Sequence, residues 1–290
     1  MGREKPALIL MIISAFFVCM ISGFINVEAL CTVEDINVVS SDVFRKISLS
    51  SYEQKLLYYY STSENGAKEL LGVNQDVLKK AVYDNIYDTL VESWKSGNNN
   101  TKTPMIFRKL LPKEIFSDCY AAYYAIMNDI KYFPVAKDNV NNVFVSYEDS
   151  WGEKRTYGGD RHHEGTDIMS GNNEEGYFPV ISMTDGVVEK KGWLELGGYR
   201  LGIRSPSGAY YYYAHLNSYA DGIEEGKEIK AGSVIGTMGS TGYGEEGTSG
   251  KFDVHLHLGI YYGEDEISFN PYILLNICKD SMLEFAVVDN

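Results

Sequence analysis

The stretch Asp253-Val254-His255-Leu256-His257-Leu258-Gly259-Ile260-Tyr261 decides the fold. Val254, Leu256 and Leu258 alternate with His255 and His257, the pattern of a strand with one buried face. Successive strand side chains point to opposite sides. The two imidazoles therefore share one face, and the three aliphatics share the other, which is expected to be core. Two imidazoles side by side suit a site where one binds a metal and the other handles a proton.

Similar short runs rich in Val, Ile and Tyr occupy 142–147, 187–190, 199–204, 210–215 and 234–238, separated by glycine-bearing turns. Short strands at this spacing predict an antiparallel β domain that begins after Phe133-Pro134-Val135. Upstream the period changes. Leu78, Val82, Ile86, Leu90 and Trp94 recur every four residues and predict a helix over 74–94 that stops at Gly97-Asn98. Residues 98–104 read as a polar loop. Pro112 then opens a second helix, with Ile115, Cys119, Ala122, Ile126 and Ile130 on one face. Shorter helices are expected around 52–60 and 67–71. The stripes read as helix packing, and no catalytic constellation lies in this region.

Composition divides the chain at the same place. Residues 1–149 carry 18 acidic and 15 basic side chains, whereas residues 150–290 carry 22 and 11. Five glycines precede residue 150 and 23 follow it, and all five histidines lie in the second part. The net charge of −14 argues against nucleic acid, whose backbone has to be met by Lys and Arg. An apolar fraction of 44% excludes a wholly disordered chain. The expected organisation is a leader (1–30), a helical region (31–132), a β domain (133–275) and a C-terminal tail (276–290).

Residues 7–24 form an uncharged, largely apolar run behind Arg3 and Lys5. Such a run is either a signal peptide, cleavable after Ala29, or a single membrane anchor. Its length favours the anchor, and the flanking positive charges place the bulk of the chain outside the membrane. The expected location is therefore the cell membrane, single-pass, or the exterior if Ala29 is the cleavage point. Cys31 follows the large Leu30, which argues against a lipid-modified cysteine. Cys19 falls in the apolar run. Pairing of Cys119 with Cys278 is left open.

A second candidate ligand segment is His163-Glu164-Gly165-Thr166-Asp167, an HxxxD. Imidazole nitrogen and carboxylate oxygen are proper zinc ligands, and a catalytic zinc keeps three protein ligands and one open position. His163, Asp167 and one histidine of the 255/257 pair make such a set. His215 ends Tyr210-Tyr211-Tyr212-Tyr213-Ala214-His215, where period two puts Tyr211, Tyr213 and His215 on one face. His215 is a candidate donor to a developing oxyanion. The two tyrosines are either cleft walls or ordinary strand aromatics.

From about Val135 to Pro271 the sequence resembles the M23 family of zinc metallopeptidases, the lysostaphin and LytM-like peptidoglycan endopeptidases. The matching stretches are Arg161-His162-His163-Glu164-Gly165-Thr166-Asp167-Ile168, Thr184-Asp185-Gly186-Val187-Val188, Tyr213-Ala214-His215-Leu216, Ile235-Gly236-Thr237-Met238-Gly239-Ser240-Thr241-Gly242 and His255-Leu256-His257. The resemblance implies an α+β chain whose catalytic domain is an antiparallel sheet of the duplicated hybrid motif type. It implies one zinc on His163, Asp167 and His257, with His255 and His215 as the catalytic pair. It implies hydrolysis of a cross-bridge or stem-peptide bond of peptidoglycan. The alternative is a non-hydrolytic module that recruits a wall enzyme or a membrane partner.

Two segments depart from the family pattern. The loop Tyr243–Asp253 replaces a short turn before HxH, and Gly171–Gly176 lengthens the turn before Phe178. Both are expected to wall the groove. Gly250-Lys251 lacks the Ser or Thr of a phosphate loop. His162 reads as a surface residue.

Overall fold

The computed structural model describes residues 37–96, 113–157 and 159–285. The chain divides into two compact units, Met1–Val38 and Val39–Asn290, and almost every described residue belongs to the second. The expected membrane segment, Cys19, Cys31 and the 98–104 loop lie outside the described residues. Among the described residues, no helix is long and apolar enough to cross a membrane.

The second unit opens with α1 (Asp42–Arg45) and α2 (Ser51–Leu57). The Ser50 hydroxyl accepts the Glu53 N–H, and the Glu53 carboxylate accepts the Ser50 N–H. This capping box satisfies two N-terminal donors that the helix leaves unpaired. The chain then turns extended. β1 (Tyr58–Thr62) pairs antiparallel with β2 (Lys68–Val73). The helices expected around 52–60 and 67–71 are thus corrected to one helix followed by a hairpin. Tyr58-Tyr59-Tyr60-Ser61-Thr62 is rich in strand-favouring side chains, and Asn65-Gly66 is a strong hairpin signal. Gly66 takes φ +76°, which a hairpin turn requires and a helix does not.

Two longer helices follow, α3 (Gln75–Ser96) and α4 (Lys113–Asn128). The apolar stripes lie where their period puts them. Leu78, Val82, Ile86 and Leu90 are buried, as are Cys119, Ala122, Ile126 and Ile130.

The remaining elements are mostly strands. They are β3 (Lys137–Asp138), β4 (Val145–Tyr147), β5 (Lys154–Arg155), β6 (Arg161–His162), β7 (Thr166–Ser170) and β8 (Pro179–Ile181). Next come β9 (Gly186–Leu194), β10 (Gly198–Arg204), β11 (Tyr210–Tyr219), β12 (Glu228–Ile229), β13 (Val234–Met238), β14 (His255–Tyr262) and β15 (Ile267–Phe269). A helix α5 (Tyr272–Cys278) and β16 (Glu284–Phe285) complete the unit. Among the described residues, ten strands form one sheet with the main path β12-β9-β10-β11-β14-β7-β4. β13 joins β11 to β8, and β15 pairs with β14. The expected strand at 142–147 shortens to β4. β7, which carries Asp167, was not anticipated.

The sheet has a dry face and a site face. Cross-strand partners share a face, and the pairs Tyr213↔Leu258, Tyr211↔Ile260 and Leu256↔Ile168 are all fully buried. The carbonyl of Ile126 in α4 accepts the Tyr211 hydroxyl at 2.8 Å. Tyr58 donates to the Met127 carbonyl and Tyr123 to the Phe44 carbonyl, each at 2.7 Å. The expected boundary near residue 133 is therefore not a boundary between compact units. The helical region is built into the unit that contains the sheet.

The segment read as a tail from residue 276 also packs. Ile277 and Cys278 are buried, and β16 pairs in parallel with β3. Cys119 and Cys278 are buried free thiols, and they do not form the bridge left open by the sequence.

Candidate metal centre

Two adjacent strands and the segment after β6 bring the candidate ligand atoms together, with a third strand alongside. In the register of β14 with β7, His257 lies opposite Asp167. In the register of β11 with β14, Ala214 lies opposite His257. Asp167, His257 and the small Ala214 thus form one row across the site face. His163 enters from the segment after β6. Its backbone continues the ladder, with the Gly152 N–H donating to the His163 carbonyl and the His163 N–H to the Glu153 carbonyl.

Gly165 makes this convergence sterically feasible. A Cβ there would lie 2.4 Å from the Leu258 carbonyl oxygen and 2.6 Å from the His257 ring. No side chain fits between the two ligand-bearing segments.

His163 Nε2, His257 Nδ1 and Asp167 Oδ1 lie 3.0 Å from one another, in all three pairs. A tetrahedral zinc with bonds of ~2.0–2.2 Å spreads its donors to about 3.3–3.5 Å, so the triangle needs only slight opening. The proton inventory also fits a cation. His163 Nδ1 lies 3.0 Å from both the Ser150 carbonyl and Arg155 Nη2; in the tautomer bonded to Ser150, the proton sits on Nδ1 and a lone pair is left on Nε2. An imidazole lone pair and a carboxylate then face the same point. Burial raises the Asp167 pKa, but hydrogen bonds with His163 and His257 more than offset it and hold the carboxyl well below its usual range. Burial pushes His257 down, against the pull of Asp167.

Arg155 was not read as a site residue. Its Nη2 donates to Asp167 Oδ2 at 3.0 Å, leaving Oδ1 for the cluster. β5 is separated from the HxxxD by a turn, and no spacing rule links them.

The remaining two histidines stand beside the triangle. His255 Nε2 is 3.8 Å from Asp167 Oδ1, and its Nδ1 is 2.7 Å from the Asp253 carbonyl. His215 Nδ1 is 2.7 Å from the Thr241 carbonyl, and its ring centre is 4.7 Å from that of His255. Each ring therefore keeps its proton on Nδ1 and offers a lone pair at Nε2. Burial, then the neighbouring His255 and His257, push His215 well below its ordinary pKa.

His215 does not share a face with Tyr211 and Tyr213, which corrects the period-two expectation. Between Tyr199↔Leu216 and Leu201↔Tyr213 two residues of β11 oppose one of β10, a bulge. His215 takes φ +61° there, which turns its ring to the site face. Tyr211 and Tyr213 stay in the core at 0% exposure, and Tyr212 lines the cleft instead.

The histidines and Asp167 border a cavity of about 480 Å³. The loop Tyr243–Asp253 supplies Tyr243 and Phe252 to its wall. Phe252 packs edge-on to His215 and Tyr243 stacks on Tyr157, with ring centres 4.7 and 4.1 Å apart. His162 is exposed, and its Nδ1 meets the Gly152 carbonyl.

The sequence pattern described as Peptidase family M23 matches residues 161–271. Over 129 residues the chain is 50% identical to the L-Ala–D-Glu endopeptidase of Bacillus subtilis (strain 168), covering 44% of this chain and 38% of that protein. It is 36% identical over 67 residues to lysostaphin of Staphylococcus simulans, covering 22% of this chain and 13% of that one. The chain thus spans well under half the length of these named relatives. The crystal structure of a lytM protein from Ruminococcus gnavus superposes with a TM-score of 0.68 at 39% identity, covering 88% of this chain and 97% of that one.

Proposed function

Because the chain belongs to peptidase family M23, we propose that it is a zinc-dependent endopeptidase that hydrolyses a peptide bond of peptidoglycan. One observation carries the reading. Three ligand atoms of zinc-type residues form a 3.0 Å triangle at the edge of a cavity, and two further histidines present lone pairs beside it. The 50% identity to an L-Ala–D-Glu endopeptidase makes that stem-peptide link the first bond to test.

His163, Asp167 and His257 would hold the zinc. A zinc ion there supplies Lewis-acid polarisation of the scissile carbonyl and lowers the pKa of the attacking water to ~7. The other steps belong to protein groups. Arg155 holds the outer oxygen of Asp167, so the inner one stays aimed at the cluster. His255 Nε2 accepts the proton of the attacking water and returns it to the leaving amine. With the His215 proton spent on Thr241 and its pKa depressed, neutral His215 is an acceptor at Nε2. That geometry favours His215 orienting the water over the oxyanion-donor role expected from sequence. Phe252 and Tyr243 keep bulk water from the two rings.

The apolar run at 7–24 supports delivery of the chain to the outer face of a membrane, where such a substrate lies. The experiment is digestion of purified cell walls by the zinc-loaded chain, with fragments identified by mass spectrometry. New N-termini at one class of peptide bond are expected. They should disappear on chelation and return with zinc. Fragments that are unchanged by chelation would contradict the zinc role, and intact walls would favour the non-hydrolytic alternative.

A further inference from the structure

Two arginines line the cavity, and they differ in one respect. Arg155 is ion-paired with Asp167. Arg161 has no carboxylate within ion-pair distance among the described residues. Its Nε donates to the Tyr157 carbonyl at 3.2 Å and its Nη2 to the Tyr243 hydroxyl at 3.4 Å, both neutral acceptors. Five N–H donors minus these two leave three, and a carboxylate takes two in a fork.

Among the described arginines, Arg161 and Arg200 have no carboxylate within ion-pair distance, and of the two only Arg161 lines the cavity. The chain carries a formal charge of −14, so a surface arginine has many acidic side chains to meet. Arg161 is instead half-buried in the cavity wall, held by the stacked Tyr157–Tyr243 pair. The other uncommitted charge of the lining, Glu164, has a different neighbour. Its field, after burial, raises the pKa of Tyr261. The unpaired guanidinium thus sits at the Tyr157/Tyr243 corner of a lining that also holds Arg155, Glu164 and Asp167.

The spacing gives Arg161 a place relative to the scissile bond. It stands two residues before the ligand His163, on a ladder that continues through it. Same-side residues on such a ladder are about 7 Å apart. The two side chains therefore project to the same side, which puts the guanidinium beside the residue that adjoins the cleaved bond.

We propose that Arg161 is a specificity-determining residue that reads a free carboxylate on the residue beside the cleaved bond. The preferred substrate is then an acidic peptide rather than an uncharged glycine bridge. The proposal rests on the peptidase reading above, and the closing experiment separates the two.

The probes are two synthetic peptides containing L-Ala–D-Glu, identical except that the free glutamyl carboxyl is left intact or converted to its amide. The full zinc-loaded chain is assayed on both. The expected kcat/KM ratio of acid to amide is about tenfold to a hundredfold, the range for a hydrogen bond to a charged group. In Arg161→Gln that ratio should fall to about one. In Arg161→Lys, which keeps the charge but loses the fork, it should be intermediate. Zinc content of each variant, measured alongside, separates loss of the site from loss of recognition. Equal cleavage of the two peptides by the wild type, or a ratio preserved in Arg161→Gln, would overturn the proposal and leave the peptidase reading standing. Failure to cleave either peptide or any wall fragment would overturn the peptidase reading, and this proposal with it.

Discussion

At the residue scale the cluster of His163, Asp167 and His257 was legible because metal chemistry restricts residue type. A histidine and an aspartate four positions apart, and two histidines two positions apart, carry their candidate roles in their donor atoms. Gly165 was legible as part of that motif, though its reason is spatial: a Cβ would meet the Leu258 carbonyl oxygen at 2.4 Å. Gly165→Ala should push the two segments apart and lower zinc affinity by tenfold or more, on the scale of perturbing a ligand's support. Competition with a chromophoric chelator measures it. Arg155 was not legible, because only the fold brings a guanidinium 12 positions earlier onto Asp167. Arg155→Met should reduce zinc affinity ten- to a hundredfold, the usual effect of removing a partner that orients a ligand. An unchanged zinc affinity would show that the pair does not hold Asp167.

At the scale of elements, strands and long helices were readable from period, and departures from period were not. The bulge at His215 is a local backbone event that no alternation rule foresees. It decides which tyrosines are core. Tyr211→Phe removes the bond to the Ile126 carbonyl and should cost about 1 kcal/mol of stability in urea unfolding while kcat/KM stays near wild type. A fall in kcat/KM without loss of stability would instead return Tyr211 to the cleft. The β1–β2 hairpin was misread as helix because five-residue apolar runs fit either period. Its Asn65-Gly66 turn was the available signal.

At the scale of the whole molecule, composition suggested two modules and the packing joins them. The skew in glycine and histidine marks where the sheet and the site lie, not where folding units end. Three tyrosine hydroxyls tie the helical region together and to the sheet, Tyr58 to Met127, Tyr123 to Phe44 and Tyr211 to Ile126. A fragment restricted to residues 133–290 uncovers that face of the sheet. It should bind a hydrophobic dye and lose a cooperative unfolding transition, whereas a fragment of residues 39–290 should keep it. The central claim concerns the site that this packing supports. It is tested most directly by measuring amine groups released from purified peptidoglycan by the full zinc-loaded chain, beside its His255→Ala variant. The expected result is release by the wild type and a loss of about 10²–10⁴-fold in the variant at unchanged zinc content. No release by a wild-type chain that holds one zinc, or equal release by the variant, would contradict it.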